Sequence, residues 1–255
     1  MKKRSLLLCF ILTIGSFGSL TLAQSRLFKK SIEIGQSKEV KTDIYFFSGE
    51  LNVNTSTDKL TECSYGYEDG FLRPEMTYRE VGYIGYLSVK SEDRDKGINI
   101  DDNSNKWNLS LNKNVKNSVS IKLRAGKANI NLEDCRLSSF DYKMTAGESN
   151  INLRNTSVPQ IRFNLLAGEA NIDLTGKWRN DGIAEIKGGV GEVTLKVPYN
   201  TGVRIIVSGV LGQVNIPFFH RNGNTYTNDS YDKAKQTLFV TISAGIGQVN
   251  VIMEE

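Results

Sequence analysis

The chain has 255 residues and a formal net charge of +4, and Lys2, Lys3 and Arg4 in its N-terminal leader supply three of the positive charges. The net charge of +1 that remains beyond the leader gives no electrostatic case for binding nucleic acid or anionic membranes. A single histidine, His220, excludes His-rich metal sites and most His-dependent catalysis.

Residues 1–23 are predicted to be a secretory signal peptide. The basic start is followed by an apolar stretch, Leu6 to Leu22, and Thr21-Leu22-Ala23 forms a small-residue cleavage site before Gln24. A retained membrane span is the alternative, but Ser, Thr and Gly interrupt the apolar stretch, which favours cleavage. We therefore expect an exported protein, periplasmic or at the cell surface, with no transmembrane segment after cleavage.

Residues 24–97 are predicted to form an irregular N-terminal cap region with degenerate coils at 46–53 and 85–89. A cap is expected because an uncovered solenoid end allows edge-to-edge assembly. This region holds Cys63, which is far from Cys135 in the sequence. We predict buried free thiols; a disulfide is the alternative, since an oxidising compartment would permit one.

A short phrase recurs at a fixed step in the second half of the chain. Ala125 to Leu132, Ala146 to Leu153 and Ala167 to Leu174 each begin 21 residues apart, and Gly188 to Leu195 aligns as a fourth copy at the same step. A fixed period in this range is typical of stacked-repeat proteins. Apolar and polar residues alternate within each copy, which indicates a strand with one buried face. Each coil is predicted to hold two strands that pair in parallel with the next coil.

The alignment also assigns positions in the stack. It places Ile172 in one row with Val193 and extends the register back to Ile98 and Ile100, so a regular solenoid is predicted over 98–255 with a 14-residue insertion within 217–236. Glycine permits a positive φ at the corners, which are assigned to Gly126, Gly147, Gly168, Gly189 and Gly245. The Asn residues of the phrase are predicted to form a hydrogen-bonded ladder on the outside; calcium or glycan binding is the alternative.

These patterns predict an all-β, single-domain parallel β-solenoid, right-handed and β-helix-like, with 21-residue coils, an irregular N-terminal cap region and a C-terminal excursion. Glu148 and Glu169 are expected about 5 Å apart on adjacent coils. That spacing would suit a retaining glycosidase, whereas the simpler interpretation is a solvated corner column beside Lys127. No catalytic residue, metal site or cofactor is predicted.

The candidate functional surface is apolar and lies near the C-terminal end. The corner column, charged in the early coils, becomes apolar, as do outward positions of the preceding strand. The aromatic insertion either joins this surface or covers it. The predicted interaction surface consists of Val190, Leu211, Ile246, Ile206, Phe239, Phe218, Phe219, Tyr226 and Tyr231.

The repeated phrase Ala167-Gly-Glu-Ala-Asn-Ile-Asp-Leu174, with Gly189 to Pro198, Gly202 to Asn215 and Ser243 to Val251, resembles the bacterial toast-rack family. That group is akin to putative-adhesin domains and to LiaF-like cell-envelope stress proteins, whose membrane helices this chain lacks. The resemblance implies a β-solenoid in the cell envelope and brings no catalytic residues. We expect a non-enzymatic exported module that is structural or binds an envelope protein or a glycan. The alternatives are a polysaccharide-active β-helix enzyme and a regulatory partner of an envelope-stress sensor.

Overall fold

The computed structural model describes residues 26–67, 74–91 and 105–254. The predicted signal peptide and the predicted coil residues Ile98 and Ile100 lie outside this range. All regular secondary structure within it is β. The strands are β1 Arg26–Ile32, β2 Glu39–Phe46, β3 Glu50–Asn54, β4 Thr61–Tyr67, β5 Pro74–Val81, β6 Ile84–Ser91, β7 Lys106–Leu111, β8 Lys116–Asn131, β9 Leu137–Asn152, β10 Gln160–Asp173, β11 Gly182–Pro198, β12 Gly202–Ser208, β13 Leu211–Asn215, β14 His220–Asn222, β15 Thr225–Thr227, β16 Thr237–Ser243 and β17 Ile246–Glu254.

The parallel β-solenoid predicted from the repeat is confirmed in its centre, where β8, β9, β10 and β11 pair in parallel. Each of these long strands passes through an Ala-Gly or Val-Gly corner, so one strand supplies both faces of a coil. Ile130, Ile151 and Ile172 lie in one register row, as the 21-residue step predicts. Their side chains face inward and are almost completely buried.

The fourth copy of the repeat is shifted by two residues from its predicted register. Val193 pairs with Ala170 and Leu195 pairs with Ile172, so the prediction that Val193 shares a row with Ile172 is wrong. The additional residues lie in the return between β10 and β11, which holds Trp178. The indole N–H of Trp178 donates to the carbonyl of Leu174 at 2.8 Å, and its ring is buried. A large side chain folded into the return therefore explains the longer step.

The spatial order of coils departs from the sequence order at both ends. The coil formed by β2 and β3 pairs directly with β8 and separates β8 from β6 and β7. At the other end, β16 and β17 lie between β11 and the coil formed by β12 and β13. The expectation that each coil pairs with the next in sequence is wrong there, because similar strands from different coils fit the same parallel register.

The hydrophobic core is a continuous ladder enclosed by the two faces of the solenoid. Aromatic side chains occupy its widest positions: Phe46 packs edge-on to Trp107 with ring centroids 4.8 Å apart, and Phe140 lies 5.8 Å from Phe163. All four side chains are at most 1% exposed. The alternating inward positions of the strands supply this core, as their period of two requires.

The N-terminal region is more regular than predicted. β1, β4 and β7 pair in antiparallel fashion, and β5 and β6 form an antiparallel hairpin joined by a turn at Gly82. Among the described residues, the strands with one neighbour only are β1, β5, β13 and β14. A search of these residues for a helix long and apolar enough to span a membrane found none.

Candidate functional site

The corners of the solenoid are built on a row of glycines that stack on one another. Positive φ angles occur at Gly126, Gly147, Gly168, Gly191, Gly247 and Gly212. The predicted corners at Gly189 and Gly245 are wrong, because the two-residue shift moves this role to Gly191 and Gly247. A Cβ on Gly126 would lie 2.1 Å from the carbonyl oxygen of Gly49, so the close stacking leaves no room for a side chain.

The predicted asparagine ladder is confirmed. It lies on the outer face of β3 and of the parts of β8, β9 and β10 that follow the glycine corners. Nδ2 of Asn129 donates to Oδ1 of Asn52 at 3.0 Å, and Asn150 donates in the same way to Asn129 at 3.3 Å. Asn171 extends the ladder by donating to Asn150 at 3.1 Å. Each of these amides therefore forms a hydrogen bond between adjacent coils.

A second row of polar side chains closes the return turns. Oδ1 of Asn131 accepts the backbone N–H of Glu133 at 3.2 Å, and Asn152 accepts that of Arg154 at 2.9 Å. Asp173 accepts the N–H of Thr175 in the same way at 2.8 Å. These are Asx turns, in which a short polar side chain replaces a backbone acceptor.

The two rows line a groove of about 450 Å³ that runs along the outside of the coils. Its amide groups already bind one another or the backbone, which accounts for the Asn columns by folding alone. Within the ranges that the structure describes, no group of three or more His, Cys, Asp or Glu side chains is arranged to hold a metal ion. The groove thus offers neither a converging set of ligands nor an aromatic platform.

Glu148 and Glu169 occupy adjacent positions, in register on β9 and β10. Lys127 precedes them and Glu192 follows, so they belong to a longer corner column. Both carboxylates are exposed. Their exposure, in one column with Lys127 and Glu192, matches the solvated corner column of the simpler interpretation.

Three candidate residues form an exposed apolar row at the C-terminal corner. Val190 pairs with Ile246, which pairs with Leu211, and these side chains are 58%, 59% and 70% exposed. We call them the apolar corner row. On β10 the residue that pairs with Val190 is Ala167, and Glu169 pairs with Glu192 instead. The prediction that one column runs from Lys127 to Ile246 is therefore wrong.

The other strand candidates lie apart from this row. Ile206 and Phe239 are half-buried on the preceding face. The guanidinium of Arg204 lies over the ring of Phe239 at 5.6 Å, which covers part of it. These two residues therefore contribute less exposed apolar surface than the apolar corner row.

The predicted aromatic flap contains the small hairpin of β14 and β15, which extends the sheet beyond β12. Tyr226 is buried and pairs with Ile205, and Phe219 is partly buried against the core. Phe218 is 83% exposed at a positive φ, whereas Tyr231 is half-buried. The flap covers the end of one face and exposes one aromatic ring.

The other face ends at β13, a feature that sequence reasoning missed. β13 pairs with β17 alone, and all five of its residues are exposed. Val214 belongs to the inward column of Val193 and Val249 yet remains 38% exposed. The uncharged stretch of residues 209–219 is the sequence signal that could have drawn attention to it.

Both cysteines of the described chain are free thiols, as predicted. Cys63 lies on β4 and Cys135 in a return turn, and each is at most 3% exposed. Burial raises the pKa of Cys63 to about 11 and that of Cys135 to about 12. Neither thiol has the solvent accessibility of a reactive cysteine.

Comparisons with known proteins agree with this architecture. A family model described as the N-terminal domain of toast_rack matches residues 22–168 and again 139–196. The crystal structure of a "putative cell adhesion protein" from Clostridium sporogenes is similar, with 25% identity and a TM-score of 0.66; the match covers 91% of this chain and 100% of that one.

A "putative adhesin" from Bacteroides fragilis aligns over 90% of this chain and 99% of its own, at 13% identity. Its TM-score of 0.25 is too low to support any conclusion. The search of curated proteins gave no significant match.

Proposed function

Because the chain belongs to the family defined by the N-terminal domain of toast_rack, we propose that it is a non-enzymatic, adhesin-like interaction module of the cell envelope. The cell-adhesion description of the similar Clostridium sporogenes structure supports this class of function. The predicted leader supports export to the periplasm or the cell surface. The partner is an envelope protein, and this chain binds it through the apolar corner row.

The observation that carries this proposal is the exposure of Val190, Ile246 and Leu211 on adjacent strands. Fully burying a Val, Leu or Ile side chain contributes about 1.5–3 kcal/mol. Since more than half of each side chain is exposed, covering all three would contribute roughly 3–5 kcal/mol. This free energy is gained only when a partner covers the three side chains, and not while they remain in contact with water.

A protein partner fits this row better than a glycan does. The row has no aromatic ring on which a sugar could stack, and its three side chains have no hydrogen-bonding group. The exposed ring of Phe218 could serve as such a platform, but it lies beyond β13 in the flap. The apolar chemistry therefore favours a partner that presents an apolar surface of its own.

The test is site-specific photo-crosslinking in intact cells. A photoreactive residue replaces Val190 in one variant and Val81 in another; Val81 is 55% exposed at the opposite end of the solenoid and serves as the matched control. We expect position 190 to give a discrete adduct with one envelope protein, and position 81 to give none. Adding Ile246→Ser to the first variant should weaken the adduct several-fold, because part of the buried apolar area is removed.

Equal adducts from positions 190 and 81 would contradict the assignment of the surface. The absence of any adduct at position 190 would do the same. An adduct that is insensitive to Ile246→Ser would also count against it, because the apolar contact would then contribute nothing. A glycan recovered at position 190 in place of a protein would overturn the choice of partner class.

A further inference from the structure

Four strands of the described chain have an unpaired edge, and three of them are protected. β1 carries Lys29 and Lys30, β5 begins with Pro74 and carries charged residues, and β14 is only three residues long. Charge, proline and short length are the devices by which proteins prevent edge-to-edge pairing. β13 has none of them, since Leu-Gly-Gln-Val-Asn is uncharged, exposed at all five residues and longer than β14.

The backbone groups at this edge have a defined direction. Each corner glycine directs its carbonyl toward the glycine of the next strand: Gly247 O lies against Gly212, and Gly49 O accepts the N–H of Lys127 at 2.8 Å. By the same geometry, Gly212 O points away from β17. The N–H of Leu211 bonds to Gly245 O at 2.7 Å, so strand alternation directs the N–H and C=O of Gly212 and Val214 outward.

The sheet already pairs this sequence with itself. β13 and β17 both contain Gly-Gln-Val-Asn, and the two copies lie side by side in register from Gly212↔Gly247 to Asn215↔Asn250. This pairing is parallel, and it shows that a Gly-Gln-Val-Asn strand packs beside a copy of itself on the β17 side of β13. The inward side chain of Val214, 38% exposed, would be covered by any strand added there.

Head-to-tail stacking of copies is blocked at the other end of the molecule. There the edges belong to β1 and β5, which pair antiparallel to their neighbours and carry the protecting charges. A head-to-head arrangement needs β13 alone. Because a two-fold axis makes the two edges antiparallel, it produces a closed dimer and no filament.

We propose that β13 pairs with β13 of a second copy of this chain across a two-fold axis at Gln213. In this register Gly212 faces Val214 of the other copy, and each such pair exchanges two backbone hydrogen bonds, four in all. Val214 packs over the other copy's Gly212, where no Cβ obstructs it. Val190 and Ile246 stay outside the pairing, whereas Leu211 lies on β13 itself, so the dimer edge and the apolar corner row meet at that one residue.

The decisive variants place charge at the axis. Gln213 is exposed and would face its own copy as a non-hydrogen-bonded pair, with Cα atoms about 4.5 Å apart. Gln213→Lys and Gln213→Glu each bring like charges together, and an equimolar mixture brings opposite charges together. Gln248→Lys is the matched control, because Gln248 occupies the same position of the same motif on β17, one strand away from the edge.

The measurement is sedimentation equilibrium of the purified protein over a concentration series up to about 1 mM, since a short edge gives a weak dimer. We expect a monomer–dimer equilibrium for the unmodified protein and for Gln248→Lys. Each Gln213 variant alone should raise the dissociation constant by about tenfold or more, and mixing the two should restore association.

Three results would overturn the pairing. The first is a monomer at every concentration, and the second is a dimer that the Gln213 variants do not weaken. The third is a failure of the Lys and Glu variants to associate when mixed, although each is folded by circular dichroism. The photo-crosslinking result at Val190 is read separately, because it reports on another protein in cells.

Discussion

The stacked glycine corners make a sharp test of the architecture, and Gly126→Ala is the most informative change. Gly126 has φ +113°, and its new Cβ would lie 2.1 Å from the carbonyl oxygen of Gly49. Relief of this contact requires the two strands to separate by about 1.3 Å, to an ordinary van der Waals distance. That movement breaks the adjacent bonds from Lys127 N to Gly49 O at 2.8 Å and from Ala125 N to Phe47 O at 3.0 Å.

The expected loss of stability is about 3–5 kcal/mol. Two backbone hydrogen bonds account for about 1 kcal/mol each, and the strained φ adds about 1–3 kcal/mol. Gly223→Ala is the matched control for strain alone, because Gly223 has φ +62° and its Cβ would meet open space. We expect it to cost about 1–2 kcal/mol. Gly66→Ala, with ordinary φ and open space, should cost close to nothing.

The free energies of unfolding come from urea titrations followed by tryptophan fluorescence and circular dichroism. Trp107 and Trp178 are buried near different parts of the solenoid, so a shared transition would indicate that the whole molecule unfolds together. The stacking explanation is refuted if Gly126→Ala costs no more than Gly223→Ala, because the carbonyl contact would then contribute nothing.

Three further predictions concern the ladder, the thiols and one ion pair. Asn150→Ala removes two exposed ladder bonds and should lower the unfolding free energy by about 1 kcal/mol in urea titration; no loss would contradict a stabilising ladder. The chain without its leader should show no thiol reactive toward a disulfide reagent at pH 8, and two reactive thiols after unfolding. The reason is that Cys63 and Cys135 are buried, with pKa values raised to about 11 and about 12. Rapid labelling of the native protein would refute this. Hydrogen bonds from Lys106 and Asn52 lower the pKa of Glu50, so its stabilising effect is present above the unfolded pKa of about 4.3 and is lost as pH falls through the folded pKa. Glu50→Gln should therefore lower stability in titrations at pH 7 but not at pH 2, and an equal loss at both would contradict this linkage.

The repeat made the fold predictable because a period of 21 residues fixes both the strands and their inward faces. The same alternation explains why Ile130, Ile151 and Ile172 were assigned correctly to one row. The error at β11 arose from Trp178, since two more residues in a return shift the later rows without altering their apolar pattern. A search for a fixed period does not detect a shift of two residues when the shifted row is still apolar, as it is when valine takes the place of isoleucine.

The order of the terminal coils was not predictable for a different reason. β13 and β17 have the same Gly-Gln-Val-Asn sequence, so either could follow β11 as far as side-chain pattern is concerned. The choice depends on the chain path between β13 and β16, which contains the flap. For the candidate site, the apolar residues of the corner row were found from the alignment of the repeats, whereas the exposed edge of β13 required the pairing to be known.

The position of β17 between β11 and β13 has a consequence for the order in which this molecule folds. The central coils can add to one another as the chain lengthens, because each finds its parallel neighbour already made. The coil of β12 and β13 has no such neighbour until β16 and β17 have been synthesised and inserted. Completion of the C-terminal end is therefore a late, long-range step. Until it occurs, the edges of β11, β12 and β13 are all open to unwanted pairing, so rapid insertion protects the newly made chain from aggregation.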